Sequence, residues 1–219
     1  MSSKDVVTNE YSLLFGDCLE RMKEIPDGSV DLCVSDIPYK LTGGGKGDGA
    51  NSKRPKGILV DNSQLMEVPK FEDWLPELYR VMKNGTHIYL MCNFKNLNDL
   101  MNKSLAVGFK HINLLVWEKN NCTPSQFYMK NCEYTLLLRK GSSKYINDIG
   151  GSKTVHKFEN IIGNKVHPTE KPTDLMEFYV KNSSNEGDVV LDMFMGSGST
   201  GVACLNTNRK FIGVEMNEE

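Results

Sequence analysis

Residues 189–215 carry the pattern that limits the fold most. Val189-Val190-Leu191-Asp192-Met193-Phe194 reads as a buried strand, and Gly196 and Gly198 make a tight turn. Ser199 and Thr200 then start a helix through Val202, Ala203 and Leu205, and Phe211-Ile212-Gly213-Val214-Glu215 is the next strand. Strand, glycine turn, helix and strand with a terminal acid is the layout that binds the ribose of a nucleotide-like cofactor, the acid accepting bonds from the hydroxyls. Glu215 is that acid, and Asp192 ends the preceding strand. The turn Phe194-Met195-Gly196-Ser197-Gly198-Ser199 lacks the lysine of a phosphate-binding loop and does not suit a nucleoside triphosphate, while NAD stays open on these residues alone.

A second short apolar run, Val30-Asp31-Leu32-Cys33-Val34-Ser35, leads into Asp36-Ile37-Pro38-Tyr39. Bounded by Gly28 and Pro38, it has the length and composition of a buried strand of a parallel sheet. Ligands of open α/β sheets bind at such strand ends. Pro38 keeps Ile37 out of the helical region, so the chain leaves the strand extended and carries a carboxylate and an aromatic ring into the crevice.

The remaining periodicity alternates in the same way. Tyr11–Phe15 is a strand ended by Gly16-Asp17, and Leu19, Met22 and Ile25 give one helical face closed by Pro26-Asp27-Gly28. The spacing predicts a helix over Phe71–Lys83 stopped by Asn84-Gly85, a strand over His87–Cys92, a helix over Leu97–Val107, a strand over Ile112–Trp117 and a helix over Thr173–Asn182. This β-α-β alternation implies a parallel sheet. Tyr134–Arg139 follows without a crossover helix and reads as an antiparallel hairpin at the sheet edge. Two segments lack periodicity: a Gly-, Lys- and Asn-rich loop over about 40–63, expected to be mobile, and a polar tract over about 120–166.

With 219 residues, 39% hydrophobic and 25% charged, the chain fits one soluble α/β domain spanning 1–219. No apolar run approaches the ~20 residues of a membrane span, and the polar start Met1-Ser2-Ser3-Lys4-Asp5 lacks a signal peptide's apolar stretch, so a cytoplasmic protein is expected. The six cysteines form no Cys-x-x-Cys pair, which points to reduced thiols rather than disulfides or zinc, and no metal is expected. His87 and His111 lack metal-ligand spacing and read as structural. The net charge of −2 argues against a uniformly basic coat, yet the basic residues are grouped. Lys40, Lys46, Lys53, Arg54 and Lys56 fall in the first aperiodic segment, and Lys119, Lys130, Arg139, Lys140, Lys144 and Lys153 fall in or beside the second.

The strand ending at Gly16-Asp17 would naturally follow Glu215 in a doubly wound sheet, so the motif order looks circularly permuted. In that order the chain resembles the permuted amino-methyltransferases of DNA, the β-class adenine-N6/cytosine-N4 methyltransferases. The resemblance rests on Asp36-Ile37-Pro38-Tyr39, Phe194-Met195-Gly196-Ser197-Gly198, Glu215, Gly16-Asp17 and His167-Pro168-Thr169-Glu170-Lys171-Pro172, and covers nearly the whole chain. It implies a doubly wound Rossmann-like methyltransferase sheet, mostly parallel with an antiparallel edge strand, and S-adenosylmethionine as cofactor. Asp36, Ile37, Pro38 and Tyr39 would be catalytic. The cofactor set would be Asp17, Asp36, Thr169, Lys171, Asp192, Phe194, Gly196, Gly198, Ser199, Thr200 and Glu215, with Glu215 on the ribose, Asp17 near the adenine, and Thr169 and Lys171 near the methionine end. One departure stands out: Ile37 occupies the place of the family's usual first proline, where the main-chain carbonyl is the acting group, and isoleucine has that carbonyl too.

Asp rather than Ser at position 36 resembles the adenine-N6 branch, so the expected activity is site-specific methylation of the N6 amine of a flipped adenine in double-stranded DNA, within restriction-modification. Cytosine-N4 transfer and a non-catalytic cofactor- or nucleic-acid-binding subunit are the alternatives. The basic residues of the 40–63 loop and the 120–166 tract are the expected DNA contacts, the tract carrying target recognition. A recognition region this small makes a homodimer a candidate, and a cognate restriction endonuclease is the other candidate partner.

Overall fold

The structure is a computed structural model in which residues 4–38, 68–123, 127–142, 144–162 and 170–216 are described. Tyr39, the loop over 40–63 with Lys40, Lys46, Lys53, Arg54 and Lys56, and Thr169 lie outside them. In chain order the elements are β1 (Val6–Val7), β2 (Tyr11–Phe15), α1 (Cys18–Met22), β3 (Val30–Asp36), α2 (Phe71–Val81), β4 (Met82–Cys92) and α3 (Phe94–Val107). They continue with β5 (Lys110–Thr123), β6 (Lys130–Arg139), β7 (Val155–Lys157), α4 (Thr173–Ser183), β8 (Val189–Asp192), α5 (Ser199–Asn206) and β9 (Lys210–Glu215).

The strands form one sheet in the order β1-β2-β9-β8-β3-β4-β6-β5-β7. From β2 to β4 every neighbouring pair is parallel, and β2 lies against β9 with Phe15 opposite Glu215. The first long strand therefore completes the cofactor half begun at the other end of the chain, as the permuted order requires. Alternate residues of β3 serve opposite faces: Leu32 and Val34 pack under α4 with Leu175, Met176 and Tyr179, whereas Cys33 packs with Met22, Trp74, Leu78 and Leu100 of α1, α2 and α3. Helices cover both faces, so β3 is apolar on each side and reads as a continuous run.

Three details depart from the sequence reading. The helix expected to reach Lys83 ends at Val81, and Met82 is already extended. Lys140 Nζ explains this, donating to the α2 carbonyl of Tyr79 at 2.6 Å and to Met82 O at 2.7 Å. The helix is thus capped from a distant strand rather than by Asn84-Gly85, which lies within β4. The antiparallel hairpin β5–β6 is present, but β6 inserts between β4 and β5 instead of forming the margin. The margin is β7, three residues of the polar tract that pair in parallel with Val116–Glu118. Among the described residues no helix is long and apolar enough to cross a membrane.

Candidate active site

The strand order places the site. β8, α5 and β9 wind one way from the boundary between β8 and β3, and β3, α2 and β4 wind the other, so the sheet's switch point lies between β8 and β3. Such a boundary opens a crevice at the carboxyl ends of its strands. Asp192 ends β8 and Asp36 ends β3, while Glu215 and Asp17 stand at the ends of the next two strands, β9 and β2. Four acids far apart in sequence thus occupy four adjacent strand ends. A small cleft is lined by Asp36, Lys171, Asp192, Phe194, Gly196 and Thr200, with Ser199 also on its wall.

Each acid is held differently. Asp192 is buried and accepts from Ser35 Oγ at 2.6 Å and from the backbone N–H of Phe194 at 3.2 Å. Burial pushes its carboxyl up to about 6 against these bonds and one from Thr200, with the nearby Asp36 adding to the rise. Glu215 accepts the N–H of Gly196 at 2.9 Å through one oxygen and that of Met216 at 3.0 Å through the other, tying the glycine turn to the next strand end. Asp17 caps α1 by accepting the N–H of Leu19 at 2.8 Å. Asp36 receives Lys171 Nζ in a close ion pair. Burial raises the Asp36 carboxyl above the usual range, and the Lys171 charge offsets part of that rise.

The glycine turn works through bare backbone. Gly196 and Gly198 have φ of +49° and +79°, and a Cβ at either would stand in open space, so the turn leaves room for close approach. Gly201, not singled out in the sequence, has another purpose: a Cβ there would come within 2.8 Å of the Phe211 ring, so the first turn of α5 lies flush on β9 only without one. Phe194 packs edge-on against Trp74, ring centroids 5.7 Å apart, and forms the apolar wall.

On the far side of Asp36 the hairpin contributes a group the sequence reading did not place in the site. Glu133 of β6 lies 3.7 Å from Lys171 Nζ through one oxygen and accepts Lys119 Nζ at 2.9 Å through the other. Lys171 therefore sits between two carboxylates. Ile37 is buried, its N–H donating to Met91 O at 3.3 Å and its side chain packing in the core with Trp74. Pro38 is half-buried directly after it. Trp117 is core, its Nε1 donating to Phe158 O at 2.9 Å.

The basic residues expected at DNA separate into two groups. Lys119 and exposed Lys130 lie on the part of the hairpin beyond Cys92, on the Asp36 side of the sheet. Arg139, opposite His87, is at the amino end of the parallel strands, and Lys140 spends its ammonium on the end of α2. Arg139, Lys144 and Lys153 line a cavity of about 390 Å³ with Tyr89 and Phe178, apart from the Asp36 cleft. His87 bonds Ser183 Oγ and Lys144 O, and His111 bonds Ser104 Oγ, as structural histidines would.

Known proteins resemble this chain in sequence and in fold. The type II methyltransferase M2.DpnII of Streptococcus pneumoniae is 26% identical over 96% of this chain and 87% of its own length. M.HinfI of Haemophilus influenzae is 25% identical over 95% of this chain, which spans 65% of that relative's length. Among solved structures, the complex of M1.HpyAVI with SAM superposes with a TM-score of 0.69 at 23% identity, covering 95% of this chain and 94% of that one. The cytosine-N4-specific PvuII DNA methyltransferase superposes with a TM-score of 0.73 at 19% identity, covering 97% of this chain and 84% of that one. The N6/N4 methyltransferase family, described as DNA methylase, matches residues 30–219, and the chain belongs to that family.

Proposed function

We propose that this chain transfers a methyl group from S-adenosylmethionine to the N6 amine of an adenine flipped out of double-stranded DNA. The observation that carries the reading is the pairing of Asp36 and Asp192 across the switch point, with the bare glycine turn beside them. The residues fit the cofactor. Glu215 and Asp17, at the ends of the two strands beyond Asp192, suit the hydrogen-bond donors of ribose and base, Phe194 offers an apolar wall, and Lys171 suits a carboxylate. A cleft lined by two carboxylates, Asp36 and Asp192, and one lysine, which Glu133 also approaches, favours a cationic guest. Bound there, the sulfonium supplies a methyl group already activated for attack.

The chain's own residues must then prepare a poor nucleophile, because the amine lone pair is delocalised into the base. Asp36 and the Ile37 carbonyl accept the two amine hydrogens, which favours a tetrahedral nitrogen with its lone pair aimed at the methyl carbon. The N–C bond forms as the C–S bond breaks, and the surplus amine proton passes to Asp36 or through it to water. Tyr39 stacks on the base. Flipping costs a few kcal/mol, offset by stacking and backbone contacts, for which exposed Lys130 is available. Thr169 and the basic residues Lys40, Lys46, Lys53, Arg54 and Lys56 keep their assigned roles in this proposal. The chain acts as one domain in the cytoplasm, with a homodimer and a cognate endonuclease as its candidate partners.

The test is transfer of label from tritiated S-adenosylmethionine to unmethylated genomic DNA, wild type beside Asp36→Ala, followed by mass spectrometry of the nucleosides. Label in N6-methyladenine that vanishes in the variant while cofactor binding persists is the expected result. N4-methylcytosine would keep the mechanism and replace the base, and retained turnover in Asp36→Ala would remove Asp36 from it.

A further inference from the structure

We infer that Phe127, Tyr128 and Met129, leading into β6 of the β5–β6 hairpin, form a wedge that enters the DNA base stack beside the target and holds open the gap left by the flipped base. This rests on the DNA methyltransferase reading and adds to it the element that opens the duplex.

Phe127, Tyr128 and Met129 are consecutive and 91%, 88% and 60% exposed, immediately before Lys130. Large side chains this exposed carry a cost to solubility, and hairpin turns are usually made of small polar residues. Elsewhere the same hairpin buries Leu136 and Leu138 on one face and Leu115, Trp117 and Leu137 on the other, with Ile112 at its opposite end 41% exposed. Exposure is therefore greatest at residues 127–129.

The tip is also in the right place. Asp36 is level with Met91, and Met91 with Thr135 of β6. From Thr135 back to Lys130 is five residues, which at about 3.3 Å each carries the hairpin roughly 17 Å beyond the level of Asp36. A major groove is about 8.5 Å deep, so a base held at Asp36 leaves its parent duplex within reach of the tip. Exposed Lys130 at the start of β6 supplies positive charge for a flanking phosphate. Phe94, 74% exposed at the start of α3, lies with its ring centroid 6.5 Å from that of Tyr134 and extends the apolar surface down towards the strand ends. Apolar side chains inserted between base steps are a known way of stabilising unstacked DNA.

The experiment uses the full chain and a duplex carrying the sequence in which wild-type enzyme deposits its methyl group, with the target base either paired or opposite an abasic site. Phe127→Ser/Tyr128→Ser changes only exposed side chains and should leave the affinity for S-adenosylmethionine unchanged. It should lower kcat/KM on the paired duplex at least tenfold and on the abasic-opposed duplex less than twofold, because there the target is already unpaired. An equal loss on both duplexes, or none on either, overturns the wedge. A loss accompanied by dissociation of a wild-type dimer in sedimentation also overturns it, assigning the tip to a second copy of the chain. Absence of methyl transfer by wild type would instead strike the functional reading itself.

Discussion

Lys171, one residue before the cap of α4, donates to Asp36 at the end of β3 while lying 3.7 Å from Glu133 of β6. One oxygen of the carboxylate needed to accept amine hydrogens, Oδ2, is thus already engaged, and that oxygen is released when Lys171 turns to another anion. Glu133 and a carboxylate-bearing cofactor are the two such anions the site provides for.

Lys171→Met keeps the length of the side chain and removes its charge. The first effect is on Asp36: burial and the nearby Glu133 charge, both of which raise its carboxyl, then act without the Lys171 charge that opposes them, and the carboxyl moves further up. Because Asp36 must be ionised to work, the acid limb of the pH–rate profile should shift to higher pH. Activity lost in Lys171→Met should be partly regained as the pH is raised, with a raised KM for S-adenosylmethionine. An acid limb that stays in place would show that the pair does not govern Asp36.

Ile37 in place of a proline has a structural account. Its N–H donates to Met91 O and its side chain is buried beside Trp74, so proline would lose one hydrogen bond and part of a packed side chain. Ile37→Pro should cost about 2 kcal/mol, seen as a fall of roughly 4–8 °C in melting temperature. Since the carbonyl is kept, methyl transfer measured well below that temperature should persist. A collapse of kcat without loss of stability would show that Ile37 acts by more than its carbonyl.

The cofactor half was legible because its signals are local: two apolar strands, a glycine turn and terminal acids lie within 27 residues, numbered 189–215. The hairpin was legible as a pair but not in its position, since insertion of β6 against β4 depends on contacts between residues some fifty apart, such as Leu136 with Leu90. Glu133 gave no signal, because its partner Lys171 is on another element and nothing in the spacing joins them. Lys140 misled for the opposite reason. It belongs to a basic cluster by sequence, yet its ammonium satisfies carbonyls at the end of α2.

Asp192 is destabilising when ionised. Its folded value of about 6 lies above the ordinary 3.8, so its contribution to stability is full below the unfolded value and is lost as pH rises through about 6. Between pH 5 and pH 8 the loss is about 1.4 kcal/mol. Asp192→Asn removes that dependence, so its stability relative to wild type, from urea unfolding, should improve by about that amount from pH 5 to pH 8. A difference that does not change with pH would mean that Asp192 keeps its charge in the fold.

Lys130 and Lys140 are ten residues apart and should respond to mutation in opposite ways. Lys140 donates to two carbonyls and lies 4.6 Å from the centroid of the Tyr79 ring. Lys140→Ala leaves those carbonyls without their charged donor and should cost about 1–2 kcal/mol of stability, with no change in DNA affinity at temperatures where it is folded. Lys130 is exposed at the end of the hairpin ladder, so Lys130→Ala should leave unfolding unchanged. If it meets a phosphate, its loss weakens DNA binding uniformly across sequences and reduces the slope of log affinity against log salt by about 1. Titrating both variants against one duplex at several salt concentrations separates the two roles. An altered slope for Lys140→Ala, or an unaltered one for Lys130→Ala, would mean that the DNA lies along a different face of the sheet.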